Sequence, residues 1–481
     1  MATTDAEYII LKADVVQLLT AEQAWHYKII PVQHEENQWL FYMDEEVYED
    51  NLSEELEVLL GLSVRIEKKE NSIILNTLNR YYRQEQKDNK QQAAKAFEGK
   101  SDDFLKDIIG EAKRIRSSDI HIETYQERCR VRMRIDGLLV ERYILTKDEY
   151  PSLINKIKIM SNLDIAEKRL PQDGRIFFNE PGSGKFDIRV SVLPTLHGEK
   201  AVLRLLSNDA TNIDINKLGF AEEDLENYLE GVKRPEGMVL ISGPTGSGKT
   251  TTLYATLKYL NNDTRNITTI EDPIEYTLEG INQVQLRENI GLNFGSTLRT
   301  FLRQDPNIIM VGEIRDPDTA SMAIRTSLTG HLVLSTIHTN SAWGTISRLI
   351  DMGIPPFLVA TTLNTSVAQR LVRLLCPHCK REEPVSEKLF PRKFKPYRNV
   401  SHHFVAVGCN QCYHTGYKGR KAVYEVIPID EELVEVIKSS NFAVTDLLKK
   451  KGIKTLSENA FELFEQGVST IEEVYPLLVN F

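Results

Sequence analysis

From Gly243 to Thr251 the chain reads GPTGSGKTT, a complete match to G-x-x-x-x-G-K-[ST] with Gly243, Gly248, Lys249 and Thr250 at the fixed positions. Small residues in such a loop, here Gly243, Pro244, Thr245, Gly246, Ser247 and Gly248, let backbone N–H groups close on phosphate oxygens, and the following helix adds its positive end. Lys249 is expected to reach the β- and γ-phosphates of a nucleotide, and Thr250, with Thr251 beside it, to place a hydroxyl on Mg²⁺. A glycine-rich turn without a ligand would explain the glycines. It would not explain the apolar MVLIS before them or the helical TTLYATLKYL after them.

Phosphoryl transfer needs acids and cations around that loop. NIIMVGEIRD is a buried strand ending at Glu313, where a P-loop enzyme carries its metal- or water-positioning acid. A second strand, NITTI, runs into Glu271, Asp272 and Glu275. Alone, that cluster is a solvated loop; with two such strand ends in one α/β domain, a shared nucleotide site is the better reading. The strand LVLST lies between His331 and His338, either of which is structural or approaches the nucleotide. Arg299 and Arg303, spaced i and i+4, and Arg175 and Arg189 further back are candidate cations, although a surface salt bridge is the default for any single arginine.

The cysteines speak of metal. Four of the five form two pairs, Cys376 with Cys379 in CPHC and Cys409 with Cys412 in CNQC. Two C-x-x-C knuckles place four thiolates around Zn²⁺, and a closed Cys₄ shell makes that zinc structural. A redox C-x-x-C would leave one pair idle, and His378 is a bystander to a complete shell. Cys129 lies alone in an alternating strand and is a core residue.

The elements that hold these groups divide the chain. A length of 481 residues suggests about three domains. Residues 1–82 read as a small α/β domain for docking a partner or platform, and the polar stretch 83–100 as a linker. Residues 101–207 read as α+β with an antiparallel sheet, residues 208–216 as a hinge, and 217–481 as a P-loop α/β domain with a zinc lobe over 371–420. With 41% hydrophobic and 27% charged residues and a net charge of −10, the composition is that of an ordinary soluble protein and a poor general binder of nucleic acid. The start, MATTDAEYIILKADVVQLL, has no basic region followed by a long apolar run, and no stretch is long enough to cross a bilayer, so a cytoplasmic chain is expected.

The run SGPTGSGKTTTLYATL, then IEDPIEY, LRTFLRQDPNIIMVGEIRD and TGHLVLSTIHTN, followed by QRLVRLLCPHC, resembles the ATPases that drive type II secretion and type IV pilus assembly. The resemblance covers roughly Phe104 to Phe481. It implies a RecA-like ATPase domain with a zinc lobe, preceded by a PAS-like domain, and a hexamer with one ATP site at each subunit boundary. On this resemblance Glu313 is the Walker B glutamate, Glu271 matches the Asp-box glutamate, and His331 and His338 match the His box. Arg175 and Arg189, from PQDGRI and DIRVSVLPTLHGEK, match arginines given to the nucleotide, and Arg299 and Arg303 match arginines at the interface. Which carboxylate is the general base stays open.

The cofactors implied are ATP, Mg²⁺ and Zn²⁺. The partners implied are an inner-membrane platform and cytoplasmic ring proteins, with the motor peripheral at the inner membrane and no direct contact with nucleic acid. Paired Arg-Leu-Gly motifs for cyclic di-GMP are not found, and the cysteine knuckles and long N-terminal part favour assembly or secretion over retraction. Three other readings remain: a nucleic-acid motor, a DNA-uptake filament ATPase, and a non-hydrolysing scaffold. Intact Lys249, Thr250 and Glu313 oppose the last.

Overall fold

The computed structural model describes residues 101–180, 184–206, 213–386, 389–439 and 444–479, most of 9–82, and residues 95–96. The expected linker 83–100 and the first part of the hinge 208–216 therefore lie almost wholly outside the described residues, as does most of the PGSG turn. The chain forms two compact units, 1–95 and 96–481.

In the first unit the strands Ile29–Glu35 and Gln38–Asp44 pair antiparallel, and Val64–Lys69 joins Gln38–Asp44 in parallel. Their apolar residues Ile29, Ile30, Phe41 and Met43 bury against Ile74 and Leu78 of the helix Asn71–Tyr81. The indole of Trp25 donates to the carbonyl of Tyr82 at 2.6 Å and ties the helix end to the core.

The second unit opens with a sheet in which antiparallel strands follow one another in the spatial order Leu138–Leu145, Cys129–Ile135, Asp119–Thr124, Gly198–Leu206, Gly184–Thr195 and Gln172–Glu180. Helices Ser101–Arg114 and Tyr150–Met160 bury Leu105, Ile108, Ile109, Ile154 and Ile157 against Ile120, Ile122, Val131 and Ile188. Cys129 is part of this core, its thiol directed at Thr124 Oγ1, 3.2 Å away. Register places Arg189 directly between Arg175 on one neighbouring strand and Arg204 on the other, so the three side chains share one face.

The buried Glu123 of this sheet takes Arg132 at 2.8 Å, Arg130 at 3.0 Å and Lys200 at 3.1 Å. Burial pushes its pKa up, but the bonds from Arg132, Lys200 and Arg130 outweigh that and hold it at about 2. The folded value lies below the unfolded one of about 4.3, so this stabilisation is complete above that pH and is lost as pH falls toward the folded value. Melting wild type and Glu123→Gln at about pH 7 and about pH 3 should show a smaller acid-induced drop in the variant. Equal drops would remove Glu123 as a source of acid sensitivity.

The P-loop region is a seven-stranded sheet in the order Asn282–Gln285, Ile267–Glu271, Ile308–Val311, Leu332–Ile337, Gly237–Ser242, Leu363–Leu375, Tyr417–Pro428. All neighbours are parallel except the last pair. The strand Leu332–Ile337 thus separates the phosphate-loop strand from the one leading to Glu313. Central strands buried on both faces read as unbroken apolar runs, as GMVLIS and IIMV do. The cysteine lobe is an excursion between the two antiparallel strands: residues 371–375 and 417–420 belong to the sheet, and the hairpin Arg381–Pro384 with His402–Val405 stands outside it.

Candidate active site

The loop after Gly237–Ser242 folds as its glycines require. Gly248, at φ 90°, caps the helix Lys249–Leu260, and a Cβ there would lie 2.8 Å from Gln369 Nε2. A Cβ on Gly243 would meet the Gln369 carbonyl at 2.5 Å. Pro244, Thr245 and Gly246 are exposed, as are Thr250 and Thr251 on the first helical turn. Ser247 is buried, and its Oγ has no hydrogen-bond partner. A glycine cradle too tight for side chains, together with an unpartnered buried hydroxyl, fits a phosphate group.

Lys249 is 9% exposed, and its Nζ donates to the carbonyls of Gly243 at 2.7 Å and Pro244 at 3.0 Å. Burial lowers its pKa, Glu313 opposes that through space, and Arg370 adds to it. Glu313 stands just past the strand Ile308–Val311, bonded to the guanidinium of Arg315 and 3.4 Å from Nε2 of His338. Glu313 and His338 thus face one crevice at the carboxyl ends of parallel strands, where open α/β sheets bind ligands.

The other acidic cluster divides. Glu271 is 3% exposed and closed in by its own protein: it accepts from Tyr254, from Thr269 at 2.6 Å and from Gln283 at 3.1 Å. Burial, with Glu271 itself beside it, pushes the Tyr254 pKa up, so the phenol stays a donor. The structure therefore spends Glu271 on internal bonds. Asp272 is exposed, and Glu275 carries a 3.4 Å ion pair with Arg189, whose guanidinium also donates to the Ile274 carbonyl at 2.6 Å.

Not every expected residue is brought in. His331 precedes the strand that His338 follows, and six strand residues at about 3.3 Å each put the two some 20 Å apart. His331 turns its Nδ1 to the Thr326 carbonyl at 3.1 Å, at the end of the sheet away from this chain's own phosphate loop. Arg299 and Arg303 are exposed, Arg303 donating to the Arg299 carbonyl at 3.0 Å. Arg175 is exposed opposite Arg189.

Two neighbours of the loop escaped sequence reasoning. Gln369 Nε2 donates to the Ser247 carbonyl at 2.9 Å, and its Oε1 accepts from Thr252 at 2.9 Å, joining loop and helix to the adjacent strand. Arg370 reaches across the loop's base. Both sit inside QRLVR, where strand alternation marks nothing unusual.

The four sulfurs lie within 4.8 Å of one another. Cys376 to Cys409 is 3.9 Å, Cys379 to Cys412 is 3.8 Å and Cys409 to Cys412 is 3.7 Å. Tetrahedral thiolates at the usual Zn–S length of about 2.3 Å stand about 3.8 Å apart, so the set fits zinc. Backbone N–H groups of Gly408 at 3.3 Å, Cys409 at 3.2 Å and Gly416 at 3.3 Å point at the sulfurs, the outer support such a site uses. His378 is exposed and outside the cluster.

The sequence model of the type II/IV secretion system protein family matches residues 95–476. The type IV pilus assembly ATPase PilB of Myxococcus xanthus is 48% identical over 374 residues, 76% of this chain and 66% of that protein. The type II secretion system protein E of Pseudomonas aeruginosa is 47% identical over 370 residues, 76% of this chain and 73% of that protein. Among solved structures, the ATPase DotB of Legionella pneumophila superposes with a TM-score of 0.60 at 23% identity, over 78% of this chain and 95% of that one. The pilus retraction motor PilT with bound ADP gives 0.53 at 27% identity, over 77% and 95%.

Proposed function

Because this chain belongs to the type II/IV secretion system protein family and is an ATPase of it, we propose that it works as a homo-hexameric motor that hydrolyses ATP to drive assembly of a type IV pilus or a type II secretion pseudopilus. The observation that carries the reading is the meeting of Lys249, Glu313 and His338 at one strand-end crevice, with Arg189 of the preceding region held against its Glu275 edge. Lys249 leaves its loop carbonyls for the phosphates, and Thr250 offers a hydroxyl to Mg²⁺, which when bound neutralises phosphate charge. Glu313, held by Arg315 and His338, orients water; Glu275 takes the second acidic role that the buried Glu271 is not placed to fill. Arg189 and Arg175 bring positive charge from the neighbouring sheet, and Arg299, Arg303 and His331 serve the boundary with the next subunit. Cys376, Cys379, Cys409 and Cys412 hold a structural zinc.

Among the described residues no helix is long and apolar enough to cross a membrane, and the motor acts by docking on a membrane platform and cytoplasmic ring proteins at the inner membrane. The test is ATP turnover by the size-fractionated full chain, wild type against Glu313→Gln, with and without single-stranded DNA. Magnesium-dependent turnover in a ring-sized fraction, lost in the variant and indifferent to DNA, is expected. Strong stimulation by DNA would replace this reading with a nucleic-acid motor.

A further inference from the structure

We propose that Arg370 is a positioning residue for ATP hydrolysis, locking the loop that carries His338 to the base of the phosphate loop; this rests on the reading of the site given above. Ser242 pairs with Ala368 on one side and Ile337 on the other, so the strand ending in the phosphate loop is flanked by Gln369 and Arg370 and by His338, Thr339 and Asn340. The Arg370 guanidinium spans the gap. Its Nη1 donates to the Gln369 carbonyl at 2.9 Å, and its Nη2 to the carbonyls of Asn340 at 3.1 Å and Thr339 at 3.4 Å. It passes so close beneath the loop that a Cβ on Gly243 would lie 3.0 Å from Nη1.

No carboxylate pairs with Arg370 among the described residues. Glu425 acts on it only through space, because the Glu425 oxygens take the N–H groups of Ala342 at 2.8 Å and Leu456 at 3.0 Å. That carboxylate fixes the start of the helix Ala342–Asp351, immediately after the loop that Arg370 holds. A cation taken partly out of water and spent on neutral carbonyls is costly if it only fills space. A planar fork with fixed donor directions suits the task of keeping two loops in register. The resulting chain of contacts runs from Lys249 through the Gly243 loop and Arg370 to Thr339 and Asn340, then to His338 and Glu313.

The test is a double-mutant cycle on the full chain in its ring-sized fraction, reading kcat and KM for ATP together with Tm. Arg370→Ala should lower kcat by about 100-fold, the scale of a small misplacement of reacting groups, with KM changed little. Arg370→Lys, which keeps charge but not the fork, should recover little, and carries the cycle if the alanine variant does not fold. Combined with His338→Ala, the second change should add almost nothing, since both act through one contact. Multiplying effects, or a raised KM with kcat intact, would overturn the proposal. Glu313→Gln separates the failures: turnover kept in that variant sinks the site reading itself, whereas turnover lost with a multiplicative cycle sinks Arg370 alone.

Discussion

Lys249→Ala is expected to lower ATP turnover by about 1,000-fold while leaving the fold and the ring-sized fraction unchanged. The lysine is 9% exposed, no carboxylate pairs with it among the described residues, and its three donors face two loop carbonyls and the space over the loop. Burial lowers its pKa, which means that the charge is held against a desolvation cost. A neutral side chain would be easier to keep there, so the charge has its use when an anion enters. On the role proposed above, removing it would delete an interaction that grows as negative charge gathers on the γ-phosphate oxygens. Phosphate release under saturating ATP reads the effect, and turnover within about tenfold of wild type would detach Lys249 from the phosphates.

Cys376→Ser should abolish zinc retention and lower Tm by about 10 °C, while nucleotide still binds at low temperature. The lobe depends on left-handed turns that bring its knuckles together: Tyr413 and His414 have φ of 51° and 59°, and a Cβ on Gly416 would strike Ala406 at 2.6 Å. Such turns are strained for ordinary residues, and a zinc bond to each knuckle would offset the strain. The sheet beneath is independent of this, since Gly237–Ser242 is bonded on both sides by strands of the P-loop region. Metal analysis of the purified protein decides: equal zinc in wild type and variant would dismiss the four-thiolate site.

What could be read from the sequence was what lies close along it. The phosphate loop is nine consecutive residues, and Glu313 sits at a strand end that its own apolar run announces. The cysteine pairs were legible because their spacing is the coordination chemistry. Contacts between distant segments were not. Glu271 and Glu275 look alike in IEDPIEY, and only the approach of Tyr254 and Gln283 to one and of Arg189 to the other divides them. His331 and His338 frame one strand symmetrically in the sequence, yet its length places them at opposite ends of the sheet. Gln369 and Arg370 gain their meaning from a strand that becomes the neighbour of Ser242 after more than a hundred intervening residues.

The row of Arg175, Arg189 and Arg204 has a consequence of its own. Like charges set side by side on adjoining strands repel, and such a surface is stable in so far as counterions are supplied. Asp119 supplies one to Arg204 at 2.9 Å, and Glu275 supplies one to Arg189 from the P-loop region. The Glu275 carboxylate, one of several groups that join the two regions, thus occupies the guanidinium that another anion would seek. Under the function proposed above, nucleotide arrival at this edge would be an exchange of counterions, in which a phosphate displaces a carboxylate and the grip between the regions changes hands.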